Sequence, residues 1–386
     1  MNPSKKKILL FIDWFTPGFR GGGPIRSCFN LVGFLKDTYD FHIVTRNTDL
    51  GQNVPYADVE GDKWTDNPGG FRVFYFSNSR LSINNIRKII KNEKYDIIYL
   101  NSFFSVYFTL TPLLVLKFLR RPMPMLLAPR GMLGTGALKI KSFKKHLFIF
   151  VAGITGFYKG ITWHATTDEE KDSIVAIFGK KSRIKIAANL PAPGPMPFHQ
   201  RVKNKNELSL FFLSRISPKK NLLSALAWLK NLNAGGKVRF DIIGPVDDNG
   251  YWRECLKVAE QLPAGIIFNH IGAIPPGDIP GIIRNYHFLL LPTLHENYGH
   301  VIVESLAAGC PVIISNCTPW RGLEDIHAGW DIPLQDEEKF RMVLLKCLGM
   351  DQKEFDIYSQ GAFQYAMNIV RNPGVKEQNL KLFSNL

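Results

Sequence analysis

LLLPTLHENYGHVIVESLAAGCPVIIS, residues 289–315, reads as an apolar strand, a polar loop, a helix and a second apolar strand. The first run ends at Pro292–Thr293. The loop Leu294–Gly299 follows, and VIVESLAA has helical spacing. Two strands joined through a helix pair in parallel. Strands that are apolar along their whole length are buried on both faces. Glu296 and Glu304 stand across the loop and helix at the mouth of this otherwise apolar unit.

Outward from this stretch the same alternation continues in both directions. Candidate strands in the first half are KKILLFID, FHIVTR, FRVFYF, YDIIYLN, PMLLAPR and ITWHATT, with helical patterns in IRSCFNLVGFLKD, INNIRKIIKN and DEEKDSIVAIFG. The scheme restarts with LSLFFLSR, VRFDIIG, GIIFNHIG and HFLLLPT. Strands alternating with helices predict an α/β fold of two doubly wound, Rossmann-like domains in series. The expected domains are 1–190 and 208–365, separated by a Pro-rich linker at 191–207. A helical tail at 366–386 has packing back on the first domain as one placement. In such sheets ligands bind at the carboxyl ends of the strands, and two facing domains would leave a cleft between them.

Composition fits this reading. The 386 residues suffice for two cores, and 45% are apolar. The five cysteines are scattered without a CxxC, which excludes a disulfide framework and a structural zinc motif and suits a reducing cytosol. The basic, apolar N-terminus stops at Asp13 and is a first strand, too short for a signal peptide. The net charge of +15 is uneven: residues 1–190 hold 28 Lys+Arg against 14 Asp+Glu. Between Asp96 and Asp168 there are nine Lys/Arg and no acidic residue. Such a field attracts an anionic partner: nucleic acid, anionic lipid or a phosphorylated substrate.

Three constellations carry chemistry. The first is LHENYG with its helix, from about His300 to Ala308. A helix N-terminus favours a negative ligand, and a carboxylate accepts paired hydrogen bonds from adjacent hydroxyls. Glu296 and Glu304 therefore suit a ligand built of hydroxyls, phosphate and further hydroxyls, such as a nucleoside diphosphate sugar. The alternative is that Glu296 caps the helix and Glu304 is solvated. The second is FFLSRISPKKN, where Arg215 can fork onto phosphate oxygens and Lys220 adds a point charge; a solvated basic turn is the alternative. The third is FTPGFRGGGPIRS after the first strand. Its glycines let backbone N–H groups approach a phosphate, though it is neither a P-loop nor a GxGxxG fingerprint.

Together these motifs resemble the nucleotide-sugar-dependent retaining glycosyltransferases of family four, which have the GT-B fold, and the resemblance spans nearly the whole chain. It implies that Arg215 and Lys220 hold the donor diphosphate and that Glu304 binds the ribose. It implies that Glu296 binds the transferred sugar, with backbone groups of Asn297, Tyr298 and Gly299. Gly22 and Gly23 would line the phosphates, and Gly272, after FNHIG, would lie near the base. Many family members carry a histidine after the fifth strand of the first domain. Here Pro129 and Arg130 stand there, as in a subgroup making bacterial surface polysaccharides. Arg130 faces the donor sugar or acceptor, or else is structural. His164 and Asp13 are further cleft-edge candidates, His164 equally readable as a core histidine.

The resemblance implies a hexosyltransferase acting with retention in O-antigen or capsule synthesis, without a metal or other cofactor. No DxD-type motif occurs in a suitable loop, and Asp247 and Asp248 lie in a variable-looking segment. The expected partners are the nucleotide-diphosphate sugar and a lipid-diphosphate-linked or oligosaccharide acceptor. An anionic membrane surface is expected too, because VYFTLTPLLVLKFLRR and KIKSFKKHLFIFVAGITGFYKG combine bulky apolar residues with Lys/Arg without forming a clean transmembrane helix. The corresponding location is the cytoplasm, peripheral on the inner face of the cytoplasmic membrane. Rival readings are a nucleotide-sugar epimerase, a carbohydrate-binding subunit without activity and a basic nucleic-acid-binding protein. No recognisable nucleic-acid module is present, so nucleic acid is not an expected partner.

Overall fold

The computed structural model describes residues 5–119, 123–134, 138, 142–192, 198–232, 235–384 and 386. Arg120, Arg121, Lys139, Lys141 and the proline-rich centre of the linker lie outside the described residues. The chain divides into two units, Met1–Pro193 with Pro373–Leu386 and Gly194–Asn372.

In the first unit the order is β1 (Lys6–Ile12), α1 (Gly23–Leu35), β2 (Tyr39–Arg46), β3 (Trp64–Asn67), β4 (Phe71–Phe76), α2 (Ile83–Asn92) and β5 (Ile97–Asn101). A π-helical turn, Val106–Leu110, leads into α3 (Thr111–Phe118). Then come β6 (Met125–Ala128), α4 (Ser142–Ile154), β7 (Thr162–Ala165), α5 (Asp168–Phe178) and β8 (Arg183–Ile186). The eight strands line up β3-β4-β2-β1-β5-β6-β7-β8, all parallel except the β3–β4 pair. The reason for the unbroken apolar run in β1 is visible in its packing. Leu9 and Phe11 join one core with Ile98 and Leu100, whereas Ile8, Leu10 and Ile12 join the other with Phe41 and Tyr99. Successive side chains point to opposite faces, and here each face is covered.

The second unit runs β9 (Glu207–Leu213), α6 (Leu222–Lys230), β10 (Lys237–Ile243), α7 (Asn249–Ala259), β11 (Ile266–Gly272), α8 (Ile279–Ile283) and β12 (Phe288–Leu291). It continues with α9 (His300–Ala307), β13 (Val312–Ser315), β14 (Gly329–Ile332), α10 (Glu337–Gly349) and α11 (Gln352–Val370). The six strands are ordered β11-β10-β9-β12-β13-β14 and all pair in parallel. Asp351 and Glu354 close a capping box at the start of α11, satisfying two donors that a helix start leaves open.

Two stretches outside these elements are tightly held. Arg201 donates to the carbonyls of Ala308 (2.8 Å) and Gly309 (2.9 Å), and buried Lys203 donates to those of Leu348 and Met350. The charged half of the linker is thus packed onto the second unit by side-chain bonds that no local pattern announces. The last helix, α12 (Pro373–Phe383), belongs to the first unit. Asn379 donates to the Ala188 carbonyl at 2.9 Å, and Phe383 packs among Tyr39, Phe41 and Tyr99.

Candidate active site

In the second unit β10 and β12 flank β9, so the connections leaving β9 and β12 diverge to opposite sides of the sheet. That is the point where an open parallel sheet accepts a ligand. The loop after β9 carries Arg215, turns through Pro218–Lys220 and enters α6 at Asn221, which has left-handed φ of 58°. The loop after β12 carries Leu294–Gly299. A backbone bond ties the two together, Leu294 N–H donating to the Lys219 carbonyl at 2.9 Å, and Glu296 N–H anchors the second loop to the Cys317 carbonyl, past β13, at 2.9 Å. These fixings bring Lys220 Nζ onto Glu296 Oε2 in an ion pair whose side chains are only 14% and 19% exposed.

Arg215 lies further out. Its Nη1 donates to Asp247 Oδ2 at 3.0 Å, with both side chains more than a third exposed. Asp248 caps α7 by accepting from Tyr251 N–H at 3.0 Å. From sequence Asp247 was set aside as part of a variable-looking segment; its position just past the carboxyl end of β10 was the available signal. Gly244 makes this junction possible. Its φ is 143°, and a Cβ there would stand 2.0 Å from the Ser214 carbonyl oxygen.

The structure removes the cap as a role for Glu296 and solvation as the state of Glu304. Helix α9 is capped by Gly299 in left-handed conformation with no side-chain cap, so Glu296 does not cap it. At the Gly299 φ of 77° a side chain would be strained, and a Cβ would lie 2.7 Å from Ile302 Cδ1 and 3.1 Å from Glu296 Cγ, so this turn favours glycine. The first-turn N–H groups of any helix lack intrahelical acceptors, and this helix start opens at the switch point. Glu304 sits in the second turn of α9 and is buried, 8% exposed, rather than solvated. Tyr298 is buried beside it. Burial, with the Glu304 carboxylate second, pushes its phenol well above the ordinary value. The Tyr298 hydroxyl has no hydrogen-bond partner among the described residues, while Trp320 Nε1 donates to its carbonyl. Asn297 lies in the same loop, and Gly272, with φ of 86° and open space where a Cβ would stand, ends β11.

In the first unit the corresponding divergence lies between β1 and β5. Asp13 follows β1, and Ser105 Oγ donates to its Oδ1 at 2.7 Å. Burial raises the Asp13 pKa, opposed by the Ser105 hydrogen bond and by Arg46. Gly22, at φ 71°, and Gly23 open α1, with space around both.

Arg130, also in left-handed conformation at φ 56°, donates from Nε and Nη2 to Asn101 Oδ1 and from Nη1 to Asn189 Oδ1. Its Nη2 also reaches the Tyr99 oxygen at 2.9 Å. The Tyr99 hydroxyl donates to His164 Nδ1 at 2.7 Å, and His164 Nε2–H donates to the Ala187 carbonyl at 2.9 Å. Glu170 secures the neighbouring turn by accepting from the N–H groups of Gly131 and Thr166. All three guanidinium nitrogens of Arg130 are committed to residues of the first unit, and His164 is a satisfied core histidine.

This chain has a consequence for pH. Burial first, then Arg130, lowers the His164 pKa from 6.5 to about 3. Burial lowers that of His287, held between Ser209 N–H and the Val202 carbonyl, to about 4. Below pH 6.5 the unfolded chain binds protons that the folded chain refuses. Stability contributed by these groups is complete above that value and falls as pH drops toward 3. The slope approaches about 1.4 kcal/mol per pH unit for each group. Urea midpoints measured across this window should fall with acidification, and His164→Phe should flatten the decline; an unchanged slope in that variant refutes the assignment.

Residues 197–327, about a third of the chain, match the protein family described as "Glycosyl transferases group 1". No curated protein sequence matches the chain. Similar solved structures include Anabaena HepE in complex with UDP-glucose, with TM-score 0.70, 15% identity, and coverage of 98% of this chain and 100% of that one. WaaG, a glycosyltransferase involved in lipopolysaccharide biosynthesis, aligns with TM-score 0.68 and 13% identity over 98% and 100% of the two chains. A trehalose-6-phosphate synthase studied for glycosyl transfer with retention aligns with TM-score 0.67 and 10% identity over 98% of each. The fold is that of GT-B glycosyltransferases.

Proposed function

We propose that this chain is a retaining hexosyltransferase that moves a sugar from a nucleotide-diphosphate donor onto a lipid-diphosphate-linked saccharide, in synthesis of a surface polysaccharide such as O-antigen or capsule. The Lys220–Glu296 pair at the switch point, beside the N-terminus of α9 and buried Glu304, carries this reading. The family match over residues 197–327 supports the glycosyltransferase part. In this reading the bond from the anomeric carbon to the diphosphate oxygen breaks as a bond to the acceptor hydroxyl oxygen forms. The hydroxyl proton leaves with the diphosphate. Negative charge grows on the leaving group, where Lys220, Arg215 and the α9 N-terminus stabilise it. No metal is required. Donor binding draws Lys220 from Glu296 toward phosphate, and the freed Glu296 carboxylate accepts sugar hydroxyls. Glu304 accepts from the ribose, Gly272 borders the base, and Asn297, Tyr298 and Gly299 supply backbone groups. Arg130 holds the frame of the first unit through Asn101, Asn189 and Tyr99.

A thermal-shift screen against UDP, GDP and ADP and their sugars tests donor binding, since a ligand of the native state raises apparent stability. Glu304→Ala should weaken free nucleotide and donor alike, by roughly 1–3 kcal/mol for a lost buried hydrogen-bond pair. Glu296→Ala should depress transfer while sparing free nucleoside diphosphate. Equal losses of nucleotide affinity in the two variants would show the roles to be misassigned.

A further inference from the structure

Helix α4 presents an apolar stripe that is unpartnered among the described residues. Phe143, Leu147, Phe150, Val151 and Ile154 are 80%, 52%, 65%, 50% and 71% exposed. At about 100° per residue they fall within an arc of roughly 100°. The opposite side of the helix holds it to the unit: Ala152 is buried, Phe148 packs on Phe103 and Phe104, and Lys145 lies over the Phe104 ring. The apolar surface extends beyond the helix. Lys117, in the last turn of α3, donates to the Gly156 carbonyl at 3.0 Å and sits over Phe157. That contact brings exposed Phe118 alongside the end of α4. Soluble proteins rarely leave so many large apolar side chains together without a partner.

We infer that this face inserts into the surface of an anionic lipid bilayer, with α4 lying in the interfacial plane. Charge selects that occupant. The stripe is bordered by exposed Lys144 and followed by exposed Lys159. Both stand in the interval between Asp96 and Asp168 that contains nine Lys/Arg and no acidic residue. A second copy docking through the same face would set these cations against one another with no carboxylate of the interval to pair with. An anionic headgroup layer neutralises them while the acyl region takes up the phenylalanines. The described residues contain no helix long and apolar enough to cross a membrane, so the contact is with one leaflet. The inference stands on surface chemistry and does not depend on the transfer reading.

Flotation of the full chain with phosphatidylglycerol–phosphatidylcholine vesicles, against phosphatidylcholine alone, tests it. The chain should float with the anionic vesicles only, and recovery should fall with added salt. Lys144→Gln and Lys159→Gln should each lower the partition coefficient about fivefold. The triple variant Phe143→Ser, Phe150→Ser, Ile154→Ser should abolish flotation while keeping its melting transition and its thermal shift with nucleotide. Three results overturn the inference: wild-type chain left at the bottom of the gradient, a folded triple variant that floats normally, or stripe-dependent dimers in light scattering without flotation. A chain that floats but shifts with no nucleotide would instead defeat the proposed function and leave the surface assignment standing.

Discussion

Lys220→Ala is expected to lower kcat by about 10²–10³-fold, the loss usual for one preorganised group facing charge that develops in the transition state. The structure supplies the reason for placing the largest catalytic effect here. Lys220 is 14% exposed and held on a turn whose backbone is bonded to the loop bearing Glu296. A cation fixed in a site that excludes most water interacts more strongly with a developing anion than one in solvent. Arg215 is more than a third exposed and shares its charge with Asp247, so Arg215→Ala should cost about tenfold, in keeping with the weakness of exposed pairs. Folding should suffer little in either case. Steady-state kinetics and thermal melting on the same preparations check this. Wild-type turnover from Lys220→Ala would end the phosphate-clamp assignment, and a collapse in melting temperature matching the loss of activity would reassign the pair to stability.

Arg130→Ala should produce the largest loss of stability, roughly 2–4 kcal/mol, with the cavity and the unmet acceptors both contributing. Its guanidinium joins Asn101, Asn189 and Tyr99, and through Tyr99 reaches His164. Removing it leaves the amide oxygens and the phenol without their donors inside the packed first unit. Lysine should not rescue, because one ammonium cannot reach acceptors that a planar fork meets in divergent directions. Calorimetry should show the melting transition lowered by several degrees in both variants. The nucleotide-induced shift should persist, since Lys220, Gly272 and Glu304, which hold nucleotide in our reading, belong to the second unit. Unchanged melting with lost transfer would return Arg130 to the reacting groups.

The parallel architecture was legible because strands covered on both faces have no choice but to be apolar throughout. KKILLFI, YDFHIVTR, IIYLN, ELSLFFL and FLLL all appear where that rule places them. Strands β3 (WTDN), β8 (RIKI) and β14 (GWDI) escaped it. Each is four residues long and lies at a sheet edge, where one flank needs no neighbour and mixed polarity costs little. The loop chemistry around Glu296, Gly299, Glu304 and Lys220 was also visible, because glycine, carboxylate and lysine at fixed offsets from strand ends have few other uses. What that chemistry is attached to was not visible. Glu296 meets Lys220 and Arg215 meets Asp247 only because β9, β10 and β12 lie side by side. Arg130, just past β6, acquires its partners from residue 28 on α1, residues 99 and 101 on β5 and residue 189 after β8, segments far apart in the chain. The stripe on α4 shows the same division. Its phenylalanines and lysines could be read in order, but which of them face outward depends on what packs beneath. Periodicity is a property of neighbouring residues, so it survives in one dimension. Burial and pairing depend on distant segments whose register is set only when the sheet closes, and local sequence carries no trace of them.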